Sequence, residues 1–251
     1  MDYKQLLSLF KKKKKLPEFN FNTIGVDMHS HILPGIDDGA PTVKESIMMA
    51  KHFVDLGFTK LIATPHIMAD YYRNTPDTIN KALNLLQEEL QKQNIAIEVE
   101  ASAEYYLDET FENKLDKGDL MVMGKDYLLF ELSYINYPNN LKDIVKKIND
   151  KGLKPILAHP ERYPYLFGSI ENFYKIKEFG CYFQLNTISL TGYYGKQTQK
   201  VAEELCQSMM IDFIGSDMHH LKHADALAES LFSPELKTLL NEGGIQNKML
   251  L

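Results

Sequence analysis

A chain of 251 residues that is 44% hydrophobic and 25% charged is long enough to bury one full core and too apolar for a disordered class. Its formal charge of -6 is unevenly spread: residues 1–15 carry six lysines against Asp2, a net of +5, leaving -11 on the remainder, which argues against a nucleic-acid partner. No apolar run reaches membrane-spanning length, and the Leu6–Phe10 stretch precedes its lysines, the reverse of a secretory signal.

Residues 1–20 are therefore expected to form a basic, flexible N-terminal segment, with Lys11–Lys15 available for weak contact with anionic lipid or a partner. Residues 21–251 are expected to form one domain. Short β-branched or apolar runs predict strands at 24–28, 60–64, 95–101, 127–132, 155–158, 182–185 and 211–215. Segments of helical period alternate with them at 42–56, 76–93, 108–115, 140–151, 170–179 and 196–209, with Gly57, Gly152 and Gly180 as C-terminal stops. We read this alternation as seven βα units around a parallel sheet. Without a Gly-rich dinucleotide fingerprint, closure into a TIM-like (β/α)7 barrel is favoured over an open sheet.

Right-handed crossovers place every strand C-terminus on one rim. His29 and His31, His66, Glu104, Glu131, His159 and Asp217 all fall at or shortly after predicted strand ends. The period-two pair His29-Ser30-His31 can aim both imidazoles to one side, or can be two histidines with unrelated partners. Asp37-Asp38-Gly39 can be a turn and helix cap before Thr42, although capping does not need both carboxylates. Glu104 and Glu131 end apolar strands, where a carboxylate is desolvated unless paired or metal-bound, and the chain has only two arginines, Arg73 and Arg162, to pair with them. His159-Pro-Glu-Arg162 and Asp217-Met-His219 complete the rim, with His220 and His223 following; His52 belongs to a helix surface.

Cys181 and Cys206 lie in apolar stretches, as core residues of a protein in a reducing, cytoplasmic compartment. The sixth residue after each is Thr187 and Asp212, so the cysteine-to-arginine spacing of thiolate phosphatases is missing. Paired tyrosines at 71–72, 105–106 and 193–194 fall near the rim, where they either flank an aromatic substrate or pack loops.

The set Asp27-Met-His-Ser-His-Ile-Leu-Pro-Gly-Ile-Asp-Asp-Gly39, Ala63-Thr-Pro-His66, Leu129-Phe-Glu-Leu132, Ala158-His-Pro-Glu-Arg162 and Gly215-Ser-Asp-Met-His219 resembles the PHP (polymerase and histidinol phosphatase) superfamily of metal-dependent phosphoesterases. Within it, these motifs look like the bacterial tyrosine phosphatases of capsule and exopolysaccharide loci, over about residues 24–245. The resemblance implies a distorted TIM-like barrel and three divalent ions, and favours manganese, with iron or zinc as alternatives. One ion would sit on His29, His31, Glu104 and Asp217, a second on Glu131, His159 and a bridging Glu104, and a third on Asp38, His66 and His219, with Asp37 able to exchange with Asp38. The implied chemistry is attack on phosphotyrosine by metal-activated hydroxide, with Arg162 and His219 as catalytic residues. Where such phosphatases often carry an arginine after the last metal histidine, this chain reads His220-Leu-Lys-His223, so Lys222, His223 or Arg73 is expected to take up substrate binding. The implied partner is a tyrosine autokinase controlling polysaccharide export, which could bring the enzyme to a membrane. A small-molecule phosphomonoesterase such as histidinol phosphatase, or a catalytically silent metal-binding regulatory module, would use the same donors.

Overall fold

The computed structural model describes residues 17–242 and 244–251; the lysine run and its expected membrane contact lie outside the described residues. All strand pairs are parallel, and each strand run is followed by helix or by 3-10 turns and then helix. The first unit is β1 (Val26–Ser30) and α1 (Val43–Asp55), then β2 (Lys60–Ala63), β3 (His66–Ile67) and α2 (Pro76–Lys92). Next come β4 (Glu98–Ala101), β5 (Glu104–Tyr106) and α3 (Glu109–Lys117), then β6 (Tyr127–Glu131), α4 (Leu141–Asp150), β7 (Lys154–Ala158) and α5 (Glu171–Glu178). The chain closes with β8 (Tyr182–Asn186), α6 (Lys196–Gln207), β9 (Phe213–Gly215), α7 (Leu221–Ser230) and α8 (Pro234–Glu242). No helix among the described residues is long and apolar enough to cross a membrane.

The strands form two sheets, ordered β1-β2-β4 and β3-β5-β6-β7-β8-β9. They meet because β2 and β3 are one chain run interrupted at Thr64-Pro65, and β4 and β5 one run interrupted at Ser102-Ala103. Pro65 has no amide hydrogen to give the ladder, which ends the strand there. The backbone bridges the gap with Ser102 N donating to Ala63 O at 2.8 Å and Glu104 N to Pro65 O at 3.1 Å. At the other seam, Asp217 N donates to His29 O at 2.8 Å and His31 N to Met218 O at 3.1 Å, joining the exit of β9 to β1. Asn247 stitches the same seam from below, accepting from Ile214 N and donating to Val26 O and Ile214 O. The result is a distorted TIM-like barrel whose irregularities sit where donor residues leave the strands.

The interior is filled by Val26, Met28, Ile62, Leu129, Ile156 and Phe213 with their neighbours, and Leu250 closes its lower end. A larger apolar layer lies between strands and helices. In α2, Ile79, Ala82, Leu86 and Leu90 make the buried stripe, and Thr75 with Thr78 forms a reciprocal N-terminal cap before Pro76. Gly57, Gly152 and Gly180 follow α1, α4 and α5 at φ of 97°, 78° and 89°, conformations a side chain would strain.

Three details differ from the sequence expectation. The strand expected over 95–101 begins only at Glu98, because Asn94 at φ 53° and a local Ile97 N to Ile95 O bond withdraw 95–97 from the ladder. The two- and three-residue strands β3 and β5 are too short to leave a periodic signal. Two helices, α7 and α8, follow the last strand.

Candidate metal centre

β3 and β5 pair with His66 opposite Glu104. A register shift between Asp27 and Ser30 re-aims the end of β1, so that His29 and His31 both face inward. His29 Nε2 and His31 Nε2 are 3.4 Å apart. Each lies 3.3–3.4 Å from Glu104 Oε2 and 3.4 Å from Asp217 Oδ1, so four donor atoms surround one small space. On the other side of Glu104, Oε1 is 3.0 Å from His159 Nε2, which is itself 3.9 Å from Glu131 Oε2. His66 Nδ1 joins this group at 3.2 Å from Glu104 Oε2 and 3.1 Å from Glu131 Oε1. Asp38 Oδ1 lies 3.5 Å from both His66 Nε2 and His219 Nε2. Seven of the nine residues expected to ligate metal fall in three overlapping donor groups, with His31, Glu104 and His66 each shared by two, and Asp217 and His159 adjoin them through His29, His31 and Glu104.

The cluster fits divalent cations on a specific ground. Glu104 Oε2 and His66 Nδ1 are fully buried yet make no hydrogen bond, leaving unsatisfied atoms in the middle of the donor set. Oxygen and imidazole donors without thiolate suit manganese, iron or zinc.

Burial alone would raise the Glu104 and Asp217 carboxyls, but His29 beside both, with His66 and His219, holds them well below the usual carboxylate range. Burial and His31 push the His66 imidazole down, yet Glu104 and Glu131 outweigh them and lift it to about 9. Asp38 is brought down to about 2 against its own burial by His219 and His66. Without metal, this centre is a buried ion-pair network, and cations replace protons in it.

In four of the five donor histidines the second nitrogen is also fixed, whereas both nitrogens of His66 face the cluster. His29 Nδ1 is 2.7 Å from Gln184 Oε1, His31 Nδ1 is 2.8 Å from Asp37 Oδ2, and His219 Nδ1 is 2.9 Å from Asp217 O. His159 Nδ1 meets the Tyr134 hydroxyl at 3.5 Å. These contacts separate the neighbouring aspartates: Asp37 is buried behind His31 and also accepts from Gly39 N and His66 N, while half-exposed Asp38 faces the donor cluster. Gln184 Nε2 donates to Asn186 Oδ1 at 3.0 Å, and Asn186 Nδ2 to Asp217 Oδ2 at 2.7 Å. Gln184 and Asn186 alternate along β8 and carry no ligand signature in the sequence; their only sequence signal is polarity inside an otherwise apolar strand. Backbone strain gathers here too, with His159 at φ 35° and Asp217 at φ 51°, both left-handed.

The cluster floors a cavity of about 640 Å³ walled by Tyr71, Tyr72, Tyr106, Tyr134 and Tyr194. Arg162 lines it, with Nη1 2.8 Å from Asp217 Oδ2 and its guanidinium 4.2 Å from the Tyr194 ring centre and 5.0 Å from that of Tyr134. Tyr105 points elsewhere, its hydroxyl accepting from Met121 N. His223 lines the cavity and accepts from His219 N at 3.2 Å; burial and then His220 push its imidazole down to about 4. Lys222 is exposed and outside the cavity lining, and Arg73 faces a second cavity.

Residues 25–231 match the family described as capsular polysaccharide synthesis, CpsB/CapC. The chain is 32% identical to tyrosine-protein phosphatase YwqE of Bacillus subtilis, covering 86% of this chain and 89% of that one. It is 26% identical to the putative tyrosine-protein phosphatase CapC of Staphylococcus aureus, with coverage of 83% and 82%. A crystal structure from work on YwqE of Bacillus subtilis and CpsB of Streptococcus pneumoniae, described as unique metal-dependent tyrosine phosphatases, superposes with a TM-score of 0.78 at 30% identity over 89% of each chain. Histidinol phosphate phosphatase of Lactococcus lactis shares the fold, with a TM-score of 0.53 at 14% identity, covering 88% of this chain and 94% of that one. By the span of the family match and the 32% identity to YwqE, the chain belongs to the CpsB/CapC family.

Proposed function

We propose that this chain is a metal-dependent protein-tyrosine phosphatase that acts on a tyrosine autokinase regulating capsular or exopolysaccharide synthesis. The observation that carries the reading is a cluster of seven donor residues in three overlapping groups, adjoined by Asp217 and His159, at the base of a tyrosine-walled cavity that also holds Arg162. Its resident cofactor is three divalent ions, manganese before iron or zinc, held by His29, His31, Glu104 and Asp217, by Glu104, Glu131 and His159 with His66 alongside, and by Asp38, His66 and His219. Such ions supply Lewis acidity, which lowers the pKa of water and offsets phosphoryl charge.

The chain's own groups bind and orient. Arg162, stacked between two tyrosine rings and anchored on Asp217, keeps its remaining donors for phosphoryl oxygens, which a planar fork suits. His219 commits Nδ1 to the Asp217 carbonyl, so its catalytic part is played through Nε2 at the centre. The tyrosine walls offer flat apolar contact to a phenyl ring. A phenolate leaving group, with a pKa near 10, needs little protonation, and none of the buried groups is required as its proton donor. The proposed compartment is the cytoplasm, where a kinase's phosphotyrosines are reached.

The test compares metal-loaded protein on phosphotyrosine peptides and on histidinol phosphate. The reading predicts kcat/KM for the peptides higher by about two orders of magnitude, since only they place an apolar phenyl ring, bonded directly to the ester oxygen, against the walls and leave as a phenolate. A preference for histidinol phosphate would overturn it in favour of a small-molecule phosphomonoesterase.

A further inference from the structure

The hairpin Met68–Tyr72 divides the barrel rim into two cavities. Its ends are paired antiparallel, with Met68 N donating to Tyr72 O and Tyr72 N to Met68 O. Tyr71 and Tyr72 line the metal cavity on one side. On the other side Ala69, Asp70 and Arg73, with Thr110 and Lys114 of α3, line a second cavity of about 390 Å³, and Met68 lines both.

This second cavity carries two cations with little to neutralise them. Arg73 is exposed, and its Nε donates to Ala69 O at 2.7 Å, which fixes the guanidinium and leaves its two amino groups uncommitted. Among the described residues Arg73 makes no ion pair. Among the described residues Lys114 has one ion pair, with Asp119 at 3.8 Å. Asp70 is the one carboxylate in the lining, and it pairs with neither. The walls are held from behind: Ala69 N donates to Asp108 Oδ2 at 3.1 Å, and buried Asn74 donates to Ile36 O and to the carbonyl of the metal-donor residue His66. The cationic wall is thus preformed and tied to the metal centre through one residue.

We propose that this cavity is an exosite for a carboxylate side chain of the substrate polypeptide, flanking the phosphotyrosine seated over the metal centre; the proposal rests on the phosphatase reading above. A chain leaving the metal cavity over Met68 enters the second cavity directly, and an acidic side chain there meets Arg73 and Lys114. A small phosphomonoester has no group to reach it. Arg73 therefore grips the polypeptide beside the phosphotyrosine instead of clamping the phosphate.

The test uses singly phosphorylated tyrosine peptides in which one glutamate is moved through positions about two to six residues to either side, the span a short extended chain covers across adjoining cavities. Alanine and lysine peptides are the references. The metal-loaded protein is expected to favour glutamate at one position over alanine by about fivefold in kcat/KM, mostly through KM. In Arg73→Glu and, separately, Lys114→Glu, that ratio falls to about one and the lysine peptide becomes the better substrate. Because each ratio is taken within one protein, a general loss of activity does not mimic the effect. Equal turnover of all peptides by the unsubstituted protein, or a glutamate preference kept in both variants, overturns the exosite and leaves the phosphatase reading standing. Absence of turnover for every phosphotyrosine peptide removes that reading, and the exosite with it.

Discussion

The Gln184 side-chain oxygen lies 2.7 Å from His29 Nδ1, and through Asn186 the same side chain is joined to Asp217, so two donors on opposite sides of the β1/β9 seam share one hydrogen-bonded support. The amide fixes His29 with its proton on Nδ1 and its lone pair on Nε2, which faces Glu104 and Asp217. Gln184→Leu keeps the volume and removes the bonds to His29, to Asn186 and to the His159 backbone N. Metal affinity, measured by competition with a chromophoric chelator, is expected to fall about 10- to 100-fold while the fold persists. An unchanged affinity would show that packing alone positions His29.

Gly39 is held against His31: a Cβ on it would fall 2.0 Å from His31 O and 2.5 Å from His31 Cβ. The backbone there cannot yield without moving the imidazole, because Ala40 N is bonded to His31 O at 3.0 Å. Gly39→Ala is therefore expected to lose metal from the site and to lower stability by about 2 kcal/mol or more. Metal content after gel filtration and the thermal midpoint check both effects.

The His66 imidazole gives the metal-free protein a signed pH response. Its folded pKa of about 9 lies above the ordinary histidine value, so its contribution is complete below about pH 6.5 and is lost as pH rises through 9. The chelator-treated protein should lose thermal stability between about pH 6.5 and 9, whereas the metal-loaded protein, in which His66 serves as a neutral donor, should not show this decline. Metal binding at pH 7 should release protons, visible as a dependence of calorimetric heat on buffer ionisation enthalpy. Equal profiles with and without metal would contradict a direct part for His66.

Burial pushes the Cys181 thiol up to about 12 and raises that of Cys206 as well, and both side chains lie in the core. Neither is a nucleophile near neutral pH. Iodoacetamide should leave the folded protein unlabelled and active, and Cys181→Ala with Cys206→Ala should retain phosphatase activity. Inactivation by thiol modification of the folded protein would reopen a covalent route.

Much of this site was legible in the chain because donors at strand ends project from one rim once the βα alternation is recognised. All nine donor positions come together in space. What escaped sequence reading has physical reasons. Gln184 and Asn186 are amides, which suit core hydrogen bonds as readily as metal support. Asp37 and Asp38 are adjacent, and only the fold shows that one backs His31 while the other faces His66 and His219. Arg73 is a substrate-binding candidate in the sequence, and only the fold shows that it lines the cavity on the far side of the Met68–Tyr72 hairpin from the metal centre, a placement that no local pattern announces. β3 and β5 are set by where Pro65 and Ser102-Ala103 break the ladder, not by hydrophobic period.

The central claim is that the donor cluster, loaded with divalent metal, hydrolyses phosphotyrosine. The most direct measurement is phosphate release from a phosphotyrosine peptide by one preparation taken through chelator treatment, removal of the chelator and titration with manganese, with bound metal quantified at each step. The account predicts that activity vanishes on chelation, returns in proportion to bound metal and saturates near three ions per chain. Undiminished release by protein shown to be metal-free would contradict it.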